Sequence, residues 1–353
     1  MAQPVVEALD IPPIRTPRGR GSAGDFFRQS PRWHQAIGIA SAASMLALLV
    51  VAARHFATTS WPLTDGHPAV LVAAGLLFVL AQALKAMGWA RLFARAERPP
   101  FLALVAGNGG AALIGLVLPG RFDEAMRIAV VRRYPGCPAG VYTIAFSLLM
   151  LGLLDSVALA PIATAAVFLP SGGGAVRVGL AVVAVGGVGA AAVIVGLPRL
   201  TRSRRARRFR IGRWAGPRTT SLRSASEAWA FVSACWIVRA LAVFLLLGTL
   251  GLGFSASLAL LFLCAGAAAA ALPIGPAGAA TQVGAGVTAL VASGIGGAEA
   301  LVAAVSMSAL GLLSGAAVLV VAVGWQAGLL LRRRCFPAVT GATRARHGKG
   351  GPR

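Results

Sequence analysis

Acidic side chains are scarce in this sequence. Its 353 residues include ten Asp and Glu against 33 Lys and Arg. Charged residues of both signs make up 12% of the chain, whereas soluble domains carry about 25%. Because the few carboxylates lie mostly outside the apolar runs, a general acid–base pair is hard to assemble. Phosphate-loop, GxSxG and HExxH motifs are also absent, so we expect no enzymatic activity.

Cysteine and histidine are equally scarce, with four of each. The cysteines show no paired spacing, which argues against a disulfide framework or a zinc site. The histidines are scattered and form no cluster of ligands. We therefore predict neither a metal ion nor another cofactor. The residues concerned are Cys137, Cys235, Cys264, Cys335, His34, His55, His67 and His347.

Long apolar runs dominate the sequence instead. Hydrophobic residues make up 57% of the chain, and its mean hydropathy is +0.78. A run of about 20 helical residues crosses a hydrocarbon core of roughly 30 Å. The alternating segments of about ten residues that a membrane β-barrel requires do not occur. The pattern therefore predicts an all-α, polytopic membrane protein. Runs without Asp, Glu, Lys or Arg are 36–53, 101–120, 178–198, 240–298 and 300–331.

The net charge of +23 indicates membrane orientation rather than nucleic-acid binding. Of the 33 basic residues, 29 fall into five segments between apolar runs, and no nucleic-acid-binding motif accompanies them. Lys and Arg mark the cytoplasmic side. We therefore place both termini in the cytoplasm, at a plasma (inner) membrane whose anionic lipids the arginines contact. The basic segments are 15–32, 91–98, 121–133, 199–223 and 332–353.

Two apolar segments cannot be simple crossings under this orientation. Residues 101–119 have basic clusters on both sides, so we expect them to enter from the cytoplasm and return as a re-entrant hairpin. Residues 256–293 are interrupted by PIGPAG at 273–278. An odd number of crossings there would place the basic tail outside. A second hairpin, opening to the outer side, resolves that conflict.

The predicted fold is an all-α bundle of about six full spans plus two re-entrant hairpins. Each half has the order span, span, hairpin, span, which gives the inverted-topology repeat of many transporters. Residues 1–34 are predicted to be a disordered cytoplasmic N-terminus, 35–331 the transmembrane domain with halves 35–173 and 175–331, and 332–353 a basic cytoplasmic tail. The predicted spans are 35–55, 68–91, 139–170, 177–197, 227–250 and 299–331.

The segment LPGRFDEAMR, residues 118–127, gathers charge beside the first hairpin. On a helix, Asp123 and Arg127 are i,i+4 partners. Such a charged mouth suits the grip of a lipid headgroup or its phosphate. An amphipathic cytoplasmic helix whose arginines only mark the inner side is the alternative. Candidate substrate-binding residues at this hairpin are Asn108, Pro119, Arg121, Asp123, Glu124 and Arg127.

Charges within the predicted spans form a second group of candidates. Asp155 and Arg239 lie near the middle of their spans, at similar depth, which makes them candidate partners. A charge at the bilayer centre costs about 3 kcal/mol on insertion scales, and such groups are usually paired and often functional. A structural ion pair that locks two helices is the alternative. Lys85 lies closer to the cytoplasmic end, where its ammonium group can extend to the interface.

The second hairpin supplies a third group of candidates. Pro273 and Pro276 break the helix, and Gln282 is the only large polar side chain nearby. Half-helix ends at this point would direct backbone dipoles into a cavity. A plain turn between two helices is the alternative.

At these residues the chain resembles the transmembrane, flippase-like region of lysylphosphatidylglycerol synthases, which also occurs in stand-alone bacterial and archaeal membrane proteins. The resemblance covers residues 35–331. The family has a proline-rich hairpin followed by a Gly-Glu-x-x-Arg-like element. Pro119, Glu124 and Arg127 match it, and Asp123 replaces the glycine.

The next span and the second hairpin also carry the resemblance. The family tends to have an Arg and an Asp in the next span, where Asp155 matches and Gly152 lies near the place of the Arg. Its second hairpin resembles P-x-x-P-G-G-x-G followed by Glu, and here Gln282 lies near the place of that Glu. The matching residues of this hairpin are Pro273, Pro276 and Gly278.

The resemblance implies a lipid flippase or related transporter that handles anionic or polyprenyl-linked lipids. Only a short tail follows the last predicted span, so we expect no aminoacyl-transfer domain and no transfer of lysine to lipid. A second interpretation is a non-catalytic membrane subunit that partners a cell-envelope or lipid-modifying enzyme, and the replaced Glu and Arg favour it. A third is an integral membrane transferase that acts on a lipid carrier.

Overall fold

The computed structural model describes residues 67–117, 122–168, 174–202, 221–271 and 278–335. Within these ranges every regular element is a helix, which confirms the all-α prediction for this part of the chain. A short 3-10 turn at Arg95–Glu97 accompanies the α-helices. The α-helices are α1 (Pro68–Arg91), α2 (Phe101–Val117), α3 (Phe122–Arg133), α4 (Val141–Val167), α5 (Gly174–Arg202), α6 (Leu222–Thr249), α7 (Ala256–Ala271), α8 (Gly278–Ala292) and α9 (Gly297–Cys335).

Five of these helices, α1, α4, α5, α6 and α9, are long and apolar enough to cross a membrane. They coincide with five of the six predicted spans. Their backbone polar groups are bonded within the helix, as a hydrocarbon environment requires. The predicted span 35–55 and the predicted N-terminal segment 1–34 lie outside the described residues, as does the tail beyond Cys335.

The first predicted hairpin differs from the expectation. Residues 101–117 form one continuous helix and do not return within the segment. A glycine-rich stretch in apolar surroundings still has to satisfy its backbone polar groups, and a helix does so internally. Helix α3 packs along α2 as a returning limb, with Val130 and Val131 near Gly110 and Gly107. A Cβ on Gly107 would lie only 2.8 Å from Val131 Cγ2, so glycine is what permits this close contact.

The segment predicted as the second hairpin, 256–293, contains the two helices α7 and α8. Helices α7 and α8 pack antiparallel on either side of residues 272–277, with the Phe262 ring against Gly286. Leu258 and Leu290 share a buried cluster farther from the break. The PIGPAG segment lies largely outside the described residues, Pro273 and Pro276 included.

Helices α1 and α6 form the centre of the bundle and run antiparallel. Gly88, near the end of α1, meets Val232 near the start of α6. Ala74, near the start of α1, shares a buried cluster with Val243 near the end of α6. A Cβ on Gly88 would lie 3.1 Å from the backbone oxygen of Ala228, so the two helices approach closely.

Basic side chains and helix ends meet at one end of the bundle. Arg91 ends α1 and makes a 3.1 Å ion pair with Glu227 of α6, while its guanidinium lies over the Phe231 ring. The Tyr134 hydroxyl donates to the backbone oxygen of Ala322 at 3.4 Å and so ties the end of α3 to α9. Burial raises the pKa of this phenol. This end corresponds to the side that the basic clusters marked in the sequence.

Candidate functional site

A buried ion pair joins α1 to α4. Lys85 donates from Nζ to Oδ2 of Asp155 at 2.7 Å. The two side chains are 9% and 20% exposed, so the pair lies inside the bundle. The prediction that Asp155 pairs with Arg239 was therefore wrong, and so was the placement of Lys85 at the interface. Counting residues gave the depth of each charge but not the direction in which its helix face points.

Arg239 joins the same cluster through a tryptophan. Trp236, nearly one turn earlier in α6, donates from Nε1 to Oδ1 of Asp155 at 3.0 Å. Both oxygens of the carboxylate are therefore engaged. The guanidinium carbon of Arg239 lies 5.3 Å from the centroid of the Trp236 ring. Lys85, Asp155 and Arg239 together carry one positive charge in excess.

The stacking contact does not satisfy the hydrogen-bonding capacity of Arg239. A cation–π contact contributes about 0.5–2 kcal/mol, but a guanidinium also has five N–H donors. Its Nε atom is buried and has no hydrogen-bond partner among the described residues. Arg239 is therefore the basic group of the cluster that remains available to an anion, whereas Lys85 is neutralised.

A second polar contact holds α1 and α4 in register. Trp89 is fully buried and donates from Nε1 to the Ser147 hydroxyl at 2.8 Å, and this hydroxyl donates to the backbone oxygen of Ile144. Sequence reasoning missed Trp89, Ser147 and Trp236. An indole N–H in an apolar helix does require a partner, but the sequence does not tell which one.

The charged segment of α3 complements the dipole of its own helix. Asp123 and Glu124 lie in the first turn, and Arg132 and Arg133 in the last. Arg127 pairs with Asp123 at 3.8 Å, which confirms the i,i+4 partnership. The Arg127 Nε is buried without a hydrogen-bond partner among the described residues. Asp123 and Arg127 therefore pair with each other within α3, and this pair is separate from the Lys85–Asp155 ion pair.

Asn108 lies in the middle of α2 and is 2% exposed. Neither its Oδ1 nor its Nδ2 has a hydrogen-bond partner among the described residues. Such an unsatisfied buried group costs about 1–3 kcal/mol, so packing alone does not account for an amide here. Gly107, beside it, lies close to the Trp89 ring. Asn108 therefore lies at nearly the same height in the bundle as the Trp89–Ser147 hydrogen bond, within one helical turn of it.

The element order and the buried charges are those of a membrane protein with a polar centre, and the family comparison agrees. Residues 35–318 match the family described as the lysylphosphatidylglycerol synthase TM region. The chain belongs to this family. Membership and the five apolar helices identify an integral membrane protein with a lipid-related function. Comparisons with curated proteins and with solved structures found no match.

The positions that carry the resemblance to the lysylphosphatidylglycerol synthase TM region are separated in the structure. Glu124 and Arg127 lie on α3, the returning limb of the first hairpin, whereas Asp155 lies in the central cluster. Gln282 is exposed on α8. The remaining predicted site residues lie outside the described part of the chain, namely Pro119, Arg121, Pro273 and Pro276.

The chemistry of the central cluster favours an anion over a metal ion. Within the described residues no group of three or more His, Cys, Asp or Glu side chains could hold a metal. The donors that are present are an ammonium, an indole N–H and a guanidinium, the last of them partly unsatisfied. A guanidinium presents a planar fork that binds phosphate or carboxylate with two hydrogen bonds.

Proposed function

We propose that this membrane protein carries the phosphate-bearing headgroups of anionic lipids across the bilayer, as a flippase or a related transporter. The observation that supports this proposal best is the half-buried Arg239, which has no carboxylate partner among the described residues, beside a neutralised Lys85–Asp155 pair. An intramembrane arginine without a carboxylate is costly, and such groups often mark substrate pathways. Anionic phospholipids and polyprenyl-linked lipids both present the phosphate that would neutralise it.

The helix contacts support an inverted repeat, in which α1 to α4 correspond to α6 to α9. Helix α2 contacts α1 as α7 contacts α6, and α4 contacts α6 as α9 contacts α1. Likewise, α2 packs on α9 as α7 packs on α4. Since α1 and α6 are antiparallel, the rotation that exchanges the two sets of helices is about a two-fold axis in the membrane plane, as in many transporters.

In this proposal the five long helices, together with the span predicted from the sequence at 35–55, make six spans, and the pairs α2–α3 and α7–α8 are re-entrant hairpins. Helices α2 and α7 have 17 and 16 residues. They are therefore about 24–26 Å long, shorter than a hydrocarbon core of roughly 30 Å. An even number of crossings keeps both termini on the basic, cytoplasmic side of the plasma membrane.

In this proposal the residues of the cluster and of the first hairpin have different roles in transport. Asp155 holds Lys85 and Trp236, and Trp236 in turn supports Arg239 for the headgroup phosphate. Asn108 and Arg127 have unsatisfied buried donors on the first hairpin and supply further contacts along the path. Movement of the two halves about the α1–α6 contact would open this path alternately to each side.

Reconstitution into liposomes tests the proposal. Purified protein is expected to accelerate movement of labelled phosphatidylglycerol between leaflets relative to empty vesicles, and Arg239→Gln to abolish the gain. Arg223→Gln is the matched control, because this arginine is 90% exposed at the basic end of the bundle. If wild-type protein moves no lipid of several classes, the transport proposal is wrong.

A non-transporting subunit that partners a cell-envelope enzyme is the second candidate. It is favoured by the exposed, neutral Gln282 near the place of the family's glutamate, and by the full engagement of Asp155. No free carboxylate is then present in the cluster to couple lipid movement to protons. Co-purification of a lipid-modifying enzyme, without lipid movement by the wild-type protein, would support this candidate. We propose no catalytic activity for the chain in either case.

A further inference from the structure

An apolar groove of about 300 Å³ lies between α6 and α7. This volume is at the lower end of the range for ligand pockets, about 300–1,000 Å³. Among the described residues, only alanine, leucine and phenylalanine side chains line it, so these residues offer hydrocarbon contact and no side-chain hydrogen bond. The lining residues are Ala240, Leu241, Phe244, Ala256, Ala259 and Leu260.

The groove is accessible from the lipid side of the bundle. Leu241 on one wall is 47% exposed, and Ala256 at the start of α7 is exposed as well. Phe244, also on the wall, packs against Phe254 with 5.5 Å between ring centroids. Phe254 lies just before α7 and covers Gly248. This aromatic pair therefore bounds the groove on the side away from the basic end.

The opposite limit of the groove adjoins Arg239. Ala240 and Leu241 follow this arginine directly in α6. Side chains of a helix are inclined toward its N-terminus, and the Arg239 guanidinium accordingly lies over Trp236. The apolar wall extends the other way, toward Phe244. A cation and a hydrocarbon groove thus occupy neighbouring stretches of one helix.

We propose that this groove holds one acyl chain of the phospholipid whose phosphate binds Arg239. The inference rests on the proposed function and adds how the substrate is held. Arg239 lies about 15 Å from the C-terminal end of α6 at 1.5 Å per residue, close to half the thickness of the hydrocarbon core. A headgroup at that depth leaves its chain beside α6 and α7. A headgroup that carries no chain gains no binding energy from the groove.

Substitutions that fill the groove test this assignment. Ala240→Phe and Leu260→Phe add bulk from its two walls. Ile237→Phe adds a ring to a lipid-exposed position of the same helix that does not line the groove. Binding of radiolabelled phosphatidylglycerol to the purified, detergent-solubilised full chain is expected to weaken about tenfold in each groove variant and to stay within about twofold in the control. Size-exclusion profiles identify any variant that fails to fold.

Competition experiments distinguish the contribution of the acyl chain to binding from that of the headgroup. Lysophosphatidylglycerol, which has one acyl chain, is expected to displace the label from wild type, whereas glycerol 3-phosphate is not. Equal competition by glycerol 3-phosphate, or equal binding by both groove variants and the Ile237→Phe control, overturns the inference. Lipid movement in liposomes distinguishes failure of the groove assignment from failure of the proposed transport function. Movement by wild type that both groove variants retain in full contradicts the groove alone, whereas absence of movement by wild type contradicts the proposed function.

Discussion

In the inverted repeat that we propose, Lys85 and Arg239 hold corresponding positions in the two halves. Each lies in the helix that precedes a proposed hairpin, at the same distance in sequence from the first residue of that helix. Lys85 meets a carboxylate at 2.7 Å, whereas Arg239 meets the face of an indole ring. Lys85 is therefore neutralised by a carboxylate within the protein, whereas Arg239 has no carboxylate partner among the described residues.

Under the proposed function, this difference separates a structural charge at Lys85 from a functional one at Arg239. A buried ion pair contributes little net stability, but removal of one partner leaves an uncompensated charge. The half-buried Arg239 has no such compensation from an acid among the described residues, and an anionic ligand would provide it. The two halves should consequently respond in opposite ways to mutation, the first in stability and the second in lipid movement.

Asp155→Asn is expected to have the largest effect on stability. It leaves Lys85 buried without a counter-charge, which costs about 3–5 kcal/mol for a buried pair, and the partial exposure of Asp155 places this case near the lower value. Thermal unfolding in detergent measures the change. Joint replacement, Lys85→Met with Asp155→Leu, should recover much of the lost stability. If the double variant is as unstable as Asp155→Asn, the buried charge is not the cause.

Arg239→Gln should produce the opposite pattern. Its stacking contact with Trp236 contributes about 0.5–1 kcal/mol, so unfolding should change little. Movement of phosphatidylglycerol between leaflets should fall at least about tenfold, which corresponds to about 1.4 kcal/mol. Arg239→Lys should retain part of the rate, because the charge remains but the planar fork is lost. Unchanged movement in Arg239→Gln would remove the functional side of the comparison.

The spans were predictable because the bilayer imposes one requirement on every crossing. An uncharged run of sufficient length must be helical there, and residues 68–91 accordingly form α1 with the same bounds. The boundary between α7 and α8 was predictable because PIGPAG combines two prolines with two glycines, whereas the single prolines Pro161 and Pro198 lie inside α4 and α5. The first hairpin was not, since GNGGAALIG contains glycine but no proline and remains helical in α2.

The partners of the intramembrane charges were not predictable from the sequence. Depth follows from position along a helix, but pairing also depends on rotation about the helix axis and on tilt. Asp155 and Arg239 agreed in depth, yet Lys85 and Trp236 reach the carboxylate. The unsatisfied amide of Asn108 was not predictable either, because the hydrogen-bond partners of a buried polar group come from residues distant in sequence.

The two hairpins differ in how tightly glycine packs them into the bundle. A Cβ on Gly109 in α2 would lie 2.6 Å from the backbone oxygen of Gly315, whereas nothing lies within 4 Å of a Cβ on Gly284 in α8. Gly109→Ala should therefore destabilise by about 1–3 kcal/mol, since backbone has to move. Gly284→Ala should be neutral or stabilise by up to about 1 kcal/mol through helix propensity. Thermal unfolding of the two variants distinguishes these outcomes, and equal shifts would contradict the asymmetry.

The smallest effect is expected at the ion pair of α3. Asp123 and Arg127 are 3.8 Å apart and partly exposed, at 33% and 22%. Partly screened pairs of this kind contribute about 0.3–0.5 kcal/mol. A double-mutant cycle of Asp123→Asn and Arg127→Gln, followed by thermal unfolding, should give a coupling energy of that size. A much larger coupling would mean that the returning limb, like Lys85 and Asp155, depends on a desolvated ion pair. The first half would then contain two structural charge pairs, and Arg127 would no longer be available to a lipid phosphate.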